Sequence, residues 1–241
     1  MRGIYAPMTH PYNANTPRQT HASGPLSRRR NKLGPDPDVR GAILAAAAGS
    51  VRDHGLLGLN IAAVLERAQL STRAFYRHFE SKDQLVAAVF LEMARVETQR
   101  LRTKMANAAC PAEAVAAWID GRLDLAFDED IEFDLRRLSL EAESTGFSSP
   151  ELVSPAYTAI LEPLTEQLDH GLDLGVFEDI VPATAAKSVH GVVWAGTQRQ
   201  RTTNHRDRAE VRERAVRFCL RALGVASEKI EQITGDDPPP G

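Results

Sequence analysis

Residues 60–85 read NIAAVLERAQLSTRAFYRHFESKDQL. Asn60 is a good N-cap for a short helix that turns Ile61, Val64 and Leu65 inward. A tight Ala68-Gln69-Leu70 turn follows, and Ser71 caps a second helix predicted over Thr72–Phe79. Ser81 then caps a longer helix carrying Leu85, Val86, Val89, Phe90 and Met93 as an apolar stripe. Two short helices about a tight turn have the spacing of a helix-turn-helix, whose second helix enters the major groove of duplex DNA. That groove, about 12 Å wide, admits one helix. The expected division of faces suits the task. Thr72, Arg73, Tyr76, Arg77 and His78 point outward, while Ala74, Phe75 and Phe79 pack on the bracing helices.

Upstream, Asp36-Pro37 opens a helix, since proline at the first helical position loses no needed N–H. Ile43, Leu44, Ala47 and Val51 recur on one face until Gly55 provides a left-handed stop. Downstream, apolar periodicity predicts helices over Pro111–Phe127, Ile131–Glu143, Pro150–Leu172, Val181 to about Arg199, and Asp207–Leu223. No stretch alternates as a strand does. The expected architecture is all-α with about nine helices: a three-helix DNA-binding domain over 36–82 and a larger helical domain over 83–224. Residues 1–35, rich in Pro, Asn, Thr, Ser and Gly, are expected to be a disordered basic extension, and 225–241 a flexible tail.

Charge is unevenly distributed. Residues 1–82 hold 12 Lys/Arg against 5 Asp/Glu, whereas the remainder holds 17 against 27. A basic front on an acidic body implies that only the front approaches a polyanion. Two cysteines, Cys110 and Cys219, make neither a disulfide framework nor a paired-cysteine metal site. No apolar run is long enough for a membrane span, and the first 35 residues lack the apolar stretch of a secretory signal, so a cytoplasmic location is expected. No GxSxG, HExxH or glycine-rich phosphate loop is present, so neither enzyme activity, metal nor cofactor is expected.

The 60–85 segment resembles the DNA-binding domain of the TetR family of bacterial repressors. The resemblance rests on Phe75-Tyr76-Arg77-His78-Phe79 followed by Ser81-Lys82-Asp83-Gln84-Leu85, and extends back to Ile43 and Gly55. Three positions depart from the family's habit: Gln69 replaces a usual glycine, Arg73 a small residue, and Val51 an aromatic. The resemblance implies phosphate contacts from Tyr76 and Lys82, with Asn60 and Ser71 in similar roles, and base reading by Thr72, Arg73 and His78. Plainer readings stand beside these: Tyr76 as a half-buried aromatic, Arg73 as a solvated charge, His78 as a packing group. The Arg28–Lys32 cluster is either a minor-groove arm or a solvated tail.

For the larger domain the resemblance implies a pocket for a small, mostly apolar ligand among the fifth to eighth helices. Trp118, Phe127, Phe133, Phe147, Tyr157, His190 and Trp194 are candidates, with Trp118 and Trp194 preferred; plain core is the competing reading. It also implies a homodimer seam on the last two long helices, at Val189, Val193, Gly196, Ala215, Cys219 and Ala222, unless these belong to a monomer's core. The implied function is a repressor released from operator DNA by its ligand. Control by a protein partner, constitutive binding, or a helical enzyme without a DNA role are the rivals.

Overall fold

The capping residues decide where the helices begin. Asp36 accepts from the Asp38 N–H at 3.0 Å and starts α1 (Pro37–His54), which Gly55 ends at a φ of 73°. The computed structural model describes residues 36–128, 133–203 and 207–235, and among these it contains ten α-helices and no strand. The Arg28–Lys32 cluster and Ile131 lie outside the described residues, as do the side chains of Phe133 and Phe147.

Asn60 Oδ1 accepts from the Ala62 N–H at 2.8 Å to open α2 (Ile61–Ala68), and Ser71 Oγ caps α3 (Thr72–Phe75). Ser81 Oγ accepts from Gln84 N–H to open α4 (Lys82–Met105), while the Gln84 side chain accepts from Glu80 N–H. Arg67 of α2 reaches Asp53 of α1 at 2.8 Å, and with Arg52 it holds the Asp53 carboxyl down at about 2. Phe75 and Phe79 join Ile43, Ala47, Val51, Val64 and Leu65 in one apolar core with Leu85 and Val89.

The body comprises α5 (Pro111–Phe127), α6 (Phe133–Ser148), α7 (Pro150–Asp173), α8 (Pro182–Thr203), α9 (Arg208–Ala222) and α10 (Ser227–Thr234). Its centre is α4 against α7. Pro163 lies within α7 and has no N–H to give Ala159, four residues earlier. The Thr98 hydroxyl of α4 donates to that carbonyl at 2.9 Å instead. Buried Glu97 is matched by Arg100 and Arg122, each at 2.9 Å, and buried Asp124 by Arg208 and Lys104. These pairs tie α4, α5 and α9 together.

Three expectations are corrected. The reading helix, expected over Thr72–Phe79, is α-helical only to Phe75; Arg77 N–H then bonds Ala74 O and His78 N–H bonds Phe75 O, the tighter three-residue pattern. α6, expected to end at Glu143, continues to Ser148, where Pro150 forbids extension and starts α7. The expected flexible tail holds α10: Ile230 is buried and Lys229 pairs with Glu113 of α5 at 2.7 Å. Among the described residues, no helix is long and apolar enough to cross a membrane.

Candidate functional site

The segment after Ser71 builds one outward polar surface because its two phenylalanines are four residues apart. Phe75 and Phe79 therefore fall on one side and are both buried, their rings 5.7 Å apart. Phe79 N–H still donates to Phe75 O at 3.0 Å, so the turn beyond the α-helix keeps that register. On the other side Thr72, Arg73, Tyr76 and Arg77 are exposed, and Tyr76 is 63% accessible with its ring edge-on to Phe75. His78 is only half exposed, and its Nδ1 is buried without a partner. Lys82 is exposed in the first turn of α4, where the helix dipole adds to its attraction for an anion. The Asn60 oxygen and the Ser71 hydroxyl are engaged in capping; both residues remain exposed.

Gln69 closes α2 in the left-handed region, at φ 54° and ψ 41°. Leu70 N–H reaches back to Leu65 O at 2.9 Å, which finishes the turn. The geometry is one that glycine adopts without penalty and glutamine does not.

The body holds a cleft of about 1120 Å³ between α7 and α8. Tyr157, His190 and Trp194 line it, with Leu161 and Thr165 on the α7 side. Trp118 does not. It is fully buried behind His190, ring centroids 6.2 Å apart, and its indole N–H donates to Ile160 O at 3.4 Å. Phe127 packs against the core and also lies off the cleft.

A smaller hollow of about 20 Å³ shares Glu143, His190 and Trp194 with that cleft and is closed by Arg122, Arg136 and Ser139. Arg122 Nε, Arg136 Nε and Nη2, and His190 Nδ1 are buried with no hydrogen-bond partner. Burial, with the Arg122 charge added, lowers His190 to about 3, so its imidazole is neutral near pH 7. Burial chiefly, then the Glu143 charge, raises the Tyr157 phenol. Sequence reasoning missed both arginines. The available signals were Arg122 inside the Trp118-Ile119-Leu123 stripe, and Arg136, Ser139 and Glu143 at a spacing that shares one face of α6.

On α8 and α9 the expected seam residues divide. Val189, Val193, Ala215 and Cys219 are buried within the single chain, and Gly196 lets α8 approach Val211 of α9. Burial raises the Cys219 thiol to about 12, so it stays protonated. Of the expected set Ala222 is exposed, and it shares a shallow hollow with Ala185 and Val192 between two further outward groups, Val181 at 67% and Phe218 at 62% exposed.

Comparison with known proteins accords with this arrangement. Residues 43–89 match the family model described as bacterial regulatory proteins, tetR family. The HTH-type transcriptional regulator CymR of Pseudomonas putida is 28% identical over 108 residues, which cover 45% of this chain and 53% of CymR. The match thus spans about half the length of that curated relative. Two solved structures share the fold. RolR in complex with resorcinol superposes with a TM-score of 0.60 at 21% identity, over 84% of this chain and 96% of RolR. SmeT, the repressor of the Stenotrophomonas maltophilia efflux pump SmeDEF, in its triclosan complex gives 0.59 at 21% identity, over 85% and 100%. Residues 43–89 thus match the tetR-family DNA-binding model in sequence, and the helical body shares its fold with RolR and SmeT.

Proposed function

We propose that the chain is a dimeric, DNA-binding transcriptional repressor that leaves its operator when a small, mostly apolar ligand enters the α7–α8 cleft. One observation carries the reading: Phe75 and Phe79 anchor the reading turn while Thr72, Arg73, Tyr76 and Arg77 stand in solvent, with Lys82 following at the start of α4. In this reading Thr72, Arg73 and His78 face base edges, and Tyr76 and Lys82 hold phosphates, with Asn60 and Ser71 alongside. The basic balance of the first 82 residues favours that end for a polyanion.

The dimer forms through the outward faces of α8 and α9, where Val181 and Phe218 are otherwise exposed to water. It sets two reading turns in successive major grooves, roughly 34–36 Å or a multiple apart. A ligand-sized cleft supports control by a small molecule over constitutive binding, and two proteins of the same fold have been solved with small molecules, RolR with resorcinol and SmeT with triclosan. Coupling runs through α6 as well as α4. Arg136, Ser139 and Glu143 of α6 border the chamber, while Glu141 accepts from Leu56 N–H at 3.3 Å, beside the turn that ends α1. The ligand must favour the arrangement whose reading turns no longer fit the duplex, since tight binding to both arrangements would move nothing.

The test is genomic pull-down to map an operator, then anisotropy titrations on that site and on random duplex. Arg73→Ala should reduce operator preference by about 1–3 kcal/mol while leaving random DNA nearly unchanged. Lys82→Ala should weaken binding to both and flatten the salt slope by about one. Equal losses on both duplexes for Arg73→Ala would remove its base-reading role, and absence of any operator would remove the regulator reading.

A further inference from the structure

The chamber contains an imbalance that the apolar character of the ligand does not explain. Arg122 is 7% exposed, and its Nη1 is satisfied by Glu97 at 2.9 Å, yet its Nε–H meets nothing. Arg136 of α6, which lines the same hollow, has its Nε–H and Nη2–H both buried and both without a partner. These two N–H groups lie on one edge of a planar guanidinium and point in parallel. That edge matches the two oxygens of a carboxylate. Interior donors left bare are costly and uncommon, so three of them around one hollow mark a place where an acceptor belongs.

We propose that the ligand is an organic carboxylate, its head held by Arg136 side-on and by Arg122 Nε, and its apolar body lying in the cleft against Tyr157 and Trp194. The inference rests on the cleft being the ligand site of the regulator described above.

Neighbouring charges are consistent with one added anion. Glu97 is already shared between Arg100 and Arg122. Glu143 borders the hollow and accepts from Gln198 Nε2 at 3.4 Å. Glu162 and Glu166 stand at the outer rim of the cleft, where Arg102 engages both. The acidic rim by itself would suit a cation; the bare guanidinium edges within do not. The hollow, at about 20 Å³, is too small for a ring, so only the head group of a ligand reaches it, at its junction with the cleft through Glu143, His190 and Trp194. The ring has the larger space beyond His190 and Trp194.

The test compares three probes with one body: 2-naphthoate, neutral 2-naphthamide and cationic 2-naphthylmethylammonium, titrated calorimetrically into the full-length protein. The cleft is far larger than a naphthyl group, so failure to bind cannot be laid to size. We expect naphthoate to bind at least tenfold tighter than either analogue. Arg136→Met should abolish that preference while keeping or raising the melting temperature of the ligand-free protein, because it removes two unpaired donors; a merely structural arginine would lower it. Equal or tighter binding of the amide or the amine, no binding of naphthoate, or unchanged naphthoate affinity in Arg136→Met would each overturn the carboxylate assignment. Release of the mapped operator is read in parallel with all three probes. If the amide or amine releases it and naphthoate does not, the head group is wrong and the regulator reading stands. If the ligand-free protein holds no operator, the regulator reading fails independently of the head group.

Discussion

At the scale of single residues, Gln69 and His190 are held in states their side chains do not favour. Gln69 sits at a positive φ of 54° where the chain must turn between α2 and α3. A left-handed backbone costs an ordinary residue roughly 1–2 kcal/mol, part of which glycine returns as unfolded-chain entropy. Gln69→Gly should therefore stabilise the protein by about 0.5–1 kcal/mol, seen as a higher denaturant midpoint with an unchanged slope. A loss of stability would mean that the glutamine side chain makes a contribution larger than the strain. His190 is lowered to about 3 by burial and by Arg122, whereas an unfolded histidine titrates near ~6.5. Between those values the unfolded chain binds the extra proton. The stability is then fully present above about 6.5 and is lost as the pH falls towards 3. Urea midpoints measured across this window should fall less steeply for His190→Gln than for the natural chain; identical profiles would place the titration elsewhere.

Single helices show how a local rule is broken and then mended by a neighbour. Pro163 interrupts the hydrogen-bond ladder of α7, and the Thr98 hydroxyl of α4 supplies the missing donor to Ala159 O. Thr98→Val keeps the shape and leaves that carbonyl unsatisfied, so it should cost about 1–3 kcal/mol in thermal or denaturant unfolding. A neutral result would show that water reaches Ala159. The α3 region shows a different balance. Serine capping and paired phenylalanines set its position, yet only four residues are α-helical, because the chain tightens after Phe75 to reach the Ser81 cap of α4. α10 is held by tertiary packing. Its eight residues are too few for a stable isolated helix, and Ile230 and the Lys229–Glu113 pair fasten it to the body.

For the molecule as a whole, one unfinished surface is the outward face of α8 and α9, where Val181 and Phe218 are exposed. Phe218 lies mid-helix and is 62% exposed, whereas its neighbours Cys219 and Leu220 are buried. In the proposed dimer this ring meets the partner's equivalent face, because a two-fold interface uses the same patch twice. Phe218→Glu should leave the helical content intact, shift sedimentation to the monomer, and abolish tight binding to a palindromic operator. A variant that remains dimeric would move the seam to another face. Such a disruption is distinguishable from misfolding because Phe218 contributes little to the protomer's own core.

Local chemistry made much of this protein legible beforehand. Caps at Asp36, Asn60, Ser71 and Ser81, the four-residue spacing of Phe75 and Phe79, and the apolar stripe of α4 each act within a few residues, so the chain alone specified where α1 to α4 begin and the polar outward face that follows Ser71. Other features depend on which helix meets which, and periodicity carries no such information. A stripe marks a face for burial without naming its partner. Trp118 and Trp194 therefore looked alike, although α7 seals the first and the cleft receives the second. The same reason hid Arg122 and Arg136, whose meeting beside His190 exists only once α5, α6 and α8 are packed together.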